Sequence, residues 1–127
     1  MRRPIPDDVR RFVLASVASV PFLEAMLLMR AHPEVSWSGA ELARRLYVPA
    51  ALADDLLGQL CESGLASPGD SDNTFCWNAA TATVATIDDL AAIYSENVVG
   101  IAGLIHSRPA RRAVQFADAF RLRKKED

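Results

Sequence analysis

Side chains able to do chemistry are few in this sequence, and their spacing limits what they can do. Cys61 and Cys76 are the two thiols, and His32 and His106 the two imidazoles. A zinc site draws on four such ligands at close spacing, and neither histidine stands at ligand spacing from the cysteines. The thiols read instead as small core side chains, since free cysteine is commonly buried. His106 falls in the last turn of an expected helix, where the helix dipole favours a cation. Two adjacent carboxylate pairs occur, Asp54-Asp55 and Asp88-Asp89. Neighbouring residues on a helix point about 100° apart, so neither pair converges into an acid/base dyad. Asp88-Asp89 is explained by helix capping. No glycine-rich phosphate loop and no nucleophile motif is found. The expectation is a protein that is not an enzyme, with no catalytic residue, no cofactor and no metal.

The remaining chemistry is electrostatic. The 127 residues carry 14 basic and 16 acidic side chains. Residues 1–19 hold four arginines (Arg2, Arg3, Arg10, Arg11) against two aspartates, a net +2. Residues 20–78 hold three arginines against eight acids, a net −5. Residues 79–127 return to +1 and end in the run that includes Arg121, Arg123, Lys124 and Lys125. An acidic middle is thus flanked by two basic arms. Such arms suit phosphate or an acidic partner, though a C-terminal run of this kind is most often simply a solvated terminus. Lipid recruitment by charge wants a denser cluster beside an apolar anchor. Apolar stretches are interrupted by Glu24, Arg30 and Glu96 well short of a membrane span. With two cysteines and no leader-like N-terminus, the expected location is cytoplasmic, with no membrane partner.

These groups are positioned by elements that proline, glycine and cap residues delimit. Leucine, alanine and valine dominate and aromatics are only 7%, which favours helices over a large sheet. The spacing predicts a short helix over 7–18 and a mostly buried one over 21–31, where Phe22, Ala25, Met26 and Met29 recur at helical intervals. Val35 to Trp37 reads as a short strand. Ser38 followed by Glu41 forms a capping box that opens a helix over 39–46. A tight break at Tyr47-Val48-Pro49 leads to a helix over 50–62, with Leu52, Leu56 and Leu60 every fourth residue. Strands are expected at 65–67 and 74–78 around the turn composition of Pro68 to Asn73. Leu42, Leu46, Leu56 and Leu60 are expected in the core. A long helix over 87–107 follows, in which Ile87, Leu90, Tyr94, Val98, Ile101 and Ile105 approach a heptad seam. Gly100 and Gly103 interrupt it, either for intramolecular packing or for close approach of another backbone. A last short helix is expected over 111–121.

The segment Trp37-Ser38-Gly39-Ala40-Glu41-Leu42-Ala43-Arg44-Arg45-Leu46-Tyr47-Val48, followed by Leu56, Leu60, Gly64 and Leu65, resembles the winged helix-turn-helix superfamily of bacterial regulators over about residues 20–78. The resemblance implies a mostly α fold with a small β-hairpin wing: a winged helix domain with an N-terminal helix over 1–85, then a C-terminal helical extension over 86–127. In DNA-binding members the exposed face of the second helix enters the major groove. The positions corresponding to that face here are Ala50, Ala51, Asp54, Asp55, Gly58 and Gln59, preceded by Arg44 and Arg45 on the first helix. Pro49 departs from the usual Ser or Thr cap.

Two readings follow, and the sequence leaves both open. One is a transcription regulator that touches DNA, its basic arms Arg2, Arg3, Arg121, Arg123, Lys124 and Lys125 supplying charge. The other is a winged helix repurposed as a protein-protein interaction module. Duplex affinity draws heavily on Lys and Arg at phosphates, and the helix over 50–62 has neither, so its DNA contact is expected to be weak or none. A homodimer is expected through Leu90, Tyr94, Val98, Ile101 and Ile105.

Overall fold

The computed structural model describes residues 4–107. The expected helix over 111–121 and the arm residues Arg2, Arg3, Arg121, Arg123, Lys124 and Lys125 lie outside the described residues. The order of elements is α1 (Asp7–Ser16), α2 (Val20–Ala31), β1 (Trp37–Ser38), α3 (Gly39–Leu46), α4 (Ala50–Glu62), β2 (Ala66–Pro68), β3 (Thr74–Trp77), α5 (Thr81–Glu96) and α6 (Val98–Ile105). The chain is therefore mostly helical with a small antiparallel sheet. It divides into two compact units. Residues 21–85 form one, and residues 4–20 join residues 86–107 in the other. The first helix was expected with residues 21–85; its contacts place it instead with the C-terminal helices, packed on α6.

In the unit of residues 21–85, α2 buries Phe22, Leu23, Ala25, Met26 and Met29. Ser38 ends β1 and caps α3: the Glu41 backbone N–H donates to Ser38 Oγ over 3.2 Å, which satisfies one of the donors a helix start leaves free. α3 ends at Tyr47, whose φ of 58° and ψ of 46° are left-handed. The Tyr47 and Val48 N–H groups both return to the Ala43 carbonyl, so the turn closes α3 on itself before Pro49 starts α4. α4 packs on α3 and buries Ala53, Leu56, Leu57 and Leu60. Leu42 is buried with them, whereas Leu46, expected inside, is half-buried at the last residue of α3. The Leu65 N–H closes the end of α4 on the Leu60 carbonyl at 2.9 Å.

The sheet has the order β1-β3-β2. Trp37 pairs with Phe75, and Ala66, Ser67 and Pro68 pair with Trp77, Cys76 and Phe75. The strands fall within a residue or two of the expected spans. The turn between β2 and β3 is fixed by the Gly69 N–H on the Thr74 carbonyl (2.8 Å) and by Asn73 at φ 62°.

In the other unit, Asp7 and Asp8 occupy the first turn of α1, where the helix dipole favours negative charge. Val9, Val13 and Leu14 are its buried face. The single long helix expected over 87–107 is not formed. The helical run starts earlier, at Thr81, and breaks at Asn97. Asn97 leaves the helical conformation, with φ −144° and ψ 62°, and its Oδ1 accepts the Gly100 N–H at 3.0 Å, which caps α6. A Cβ on Gly100 would crowd that carboxamide, reaching within 2.8 Å of three of its atoms. Gly100 is thus explained by a cap within its own chain and not by the approach of another backbone.

Candidate functional site

The expected partner-facing residues come together on the surface of α3 and α4. Arg44, Arg45, Ala50, Ala51, Asp54, Asp55, Gly58 and Gln59 are all exposed. They do not form one uniform face. The Asp54 carboxylate lies against Gly39, the first residue of α3, within the space a Cβ there would fill. A negative group at a helix start is favourable, so Asp54 helps to seat α4 on α3. Asp55 and Gln59, one turn apart, remain turned to solvent beside Ala51 and Gly58.

From Leu46 to Ser107 the chain has no lysine and no arginine, against eight aspartates and glutamates. α4 and the β2-β3 hairpin are therefore without a cation, and the hairpin turn adds exposed Asp70 and Asp72. The only cations of the 21–85 unit are Arg30, Arg44 and Arg45.

Arg44 and Arg45 do not extend the α4 surface. They line a cavity of about 270 Å³ together with His32, Val35, Trp37 and Glu41. The Arg45 guanidinium lies 5.6 Å from the centre of the Trp37 ring, within cation–π range. The His32 ring meets Trp37 edge-on, 6.3 Å between centres, and its Nδ1 is 4.0 Å from Glu34. Trp37 is 2% exposed, and its Nε1–H is buried with no acceptor. This grouping was missed in the sequence. His32 and Val35 belong to a loop and Trp37 to a strand, so no helical period connects them to Arg44 and Arg45.

No protein-family model, no curated protein and no solved structure matches this chain.

The expected dimer seam is corrected. Leu90, Ile101 and Ile105 are buried within the chain, Tyr94 is half-buried and Val98 is exposed. The break at Asn97 resets the helical phase, so the five residues no longer form one stripe. Cys61 and Cys76 are half-buried and unoxidised, not enclosed in the core as expected. Burial, with the neighbouring Cys76 second, pushes the Cys61 thiol above its ordinary value of 9.0, which disfavours the reactive thiolate. Cys76 Sγ sits 3.6 Å from Ser67 Oγ. Among the described residues no cluster of three or more His, Cys, Asp or Glu is placed to hold a metal, and no single helix is long and apolar enough to cross a membrane.

Proposed function

We propose that this chain is a small, non-enzymatic winged-helix regulatory protein of transcription control whose α4 face makes little or no contact with duplex DNA. The order β1-α3-α4-β2-β3, with β1 beside β3, supports the winged-helix assignment. The observation that carries the functional part is the cation-free stretch from Leu46 to Ser107, which includes α4 and the hairpin in the position of the wing. Specific readers anchor on phosphates before they read bases, and each unpaired carboxylate brought to a phosphate is repelled.

A second reading, a winged helix serving purely as a protein-protein interaction module, is favoured by Tyr47. It stands 95% exposed in the turn between α3 and α4 in a conformation that is uncommon away from glycine. Exposed tyrosines are enriched where proteins meet. Self-association, in the same proposal, uses Val98 and Val99, which are 50% and 61% exposed. Light scattering at micromolar concentration tests it.

Charge reversal tests the main reading. Asp55→Arg with Gln59→Arg leaves the Asp54 contact to Gly39 in place and puts two cations on α4. Non-specific duplex affinity then rises, and the slope of log affinity against log salt steepens by about 1.8, from roughly 0.9 per phosphate neutralised. An unchanged affinity and slope would show that the missing cations are not what keeps α4 from the duplex, and would contradict the electrostatic basis of the proposal.

A further inference from the structure

We propose that the cavity at the start of α3 binds a small organic anion, a carboxylate carried on a compact flat apolar group. The site is independent of the α4 face.

Its lining combines two chemistries: Val35 and Trp37 are apolar, and Arg44 and Arg45 are cationic. A guanidinium presents its donors as a planar fork that matches a carboxylate. In a unit with three cations, two line this one cavity. Neither has a carboxylate partner among the described residues; Arg45 has the face of Trp37 instead. A cation resting on an aromatic ring keeps its outward edge free to donate. Glu41 also lines the cavity and Glu34 stands 4.0 Å from the lining His32, so the two arginines leave little positive charge in excess, which suits a monoanion better than a dianion.

Size sets the second limit. An enclosed cavity of about 150 Å³ admits benzene, and this half-open one holds about 270 Å³, enough for a single ring with its carboxylate. Trp37 supplies the internal reporter. Trp37 lines the cavity and its indole Nε1–H is buried without a partner, whereas Trp77 on β3 is not among the lining residues.

The test is an NMR titration of the full-length protein with benzoate, reading the two indole N–H resonances. Trp37 is expected to shift saturably while Trp77 stays in place. Acetate, which lacks the ring, and benzyl alcohol, which lacks the charge, should bind at least tenfold more weakly than benzoate. Arg44→Ala and Arg45→Ala, both at exposed positions, should each weaken benzoate roughly tenfold, as expected for a lost hydrogen bond to a charged group. Arg45→Lys should recover only part of that loss. A Trp37 resonance that does not respond would overturn the proposal. So would benzoate binding that survives both alanine variants, or acetate or benzyl alcohol binding as tightly as benzoate.

Discussion

The Asp54 carboxylate occupies the space beside Gly39 that any larger residue there would need. Gly39 is buried as the first residue of α3, and Asp54 lies one turn into α4. A residue that looks like a reader in a one-dimensional view thus joins two helices. Gly39→Ala would push the exposed Asp54 carboxylate out of its place and should destabilise the protein by about 1 kcal/mol or less, the low end for overpacking, because that side chain can swing into solvent. Asp54→Ala should relieve the clash, so that the double variant recovers part of the loss. Denaturant unfolding of the two single variants and the double variant measures the coupling. Additive losses would mean that the two side chains do not meet.

Leu56, 1% exposed, belongs to the buried face of α4. Leu56→Ala removes its contacts and leaves a cavity, and should lower stability by about 2–5 kcal/mol in urea unfolding. A loss under 1 kcal/mol would contradict the packing described for α4.

Asn97 divides α5 from α6. Asn97→Ala deletes the acceptor for the Gly100 N–H and should lower stability by about 0.5–2 kcal/mol, the usual range for a lost helix cap. Asn97→Asp keeps an acceptor and should retain most of it. If both substitutions were neutral by thermal unfolding, the break would have another cause.

Cys61 gives the pH dependence. Its thiol titrates higher in the folded chain than its ordinary 9.0, so the folded state holds this proton over a pH range in which the unfolded state has released it. The contribution is therefore constant below pH 9 and turns against folding as pH rises beyond that value. The melting temperature should fall more steeply above pH 9 in the wild type than in Cys61→Ala. Parallel curves would remove Cys61 as a cause.

Much of the 21–85 unit was legible because its signals are local. Ser38 with Glu41 marks the start of α3, Pro49 that of α4, and the leucines at 52, 56 and 60 give the period of α4. The break at Asn97 was hidden because apolar residues keep helical spacing from Ile87 to Ile105 across it, and a lone asparagine in an apolar run gives no period of its own. Leu46 reads as core by spacing but ends its helix, where the last turn is only half covered. The Asp54-Gly39 contact and the stacking of Arg45 on Trp37 join different elements, and such tertiary meetings leave no trace in either segment's pattern.

On the function proposed above, α4 does not grip duplex DNA. Fluorescence anisotropy of the wild-type protein with labelled genomic duplex fragments, at about 150 mM salt, tests it most directly. Non-specific binding by DNA-binding proteins has dissociation constants of roughly 10⁻⁴ to 10⁻⁶ M under such conditions, and the acidic α4 predicts binding in that range or weaker, unaltered by Gln59→Ala. A nanomolar dissociation constant that is lost when Gln59 or Asp55 is changed to alanine would contradict the claim and make α4 a reader of DNA sequence.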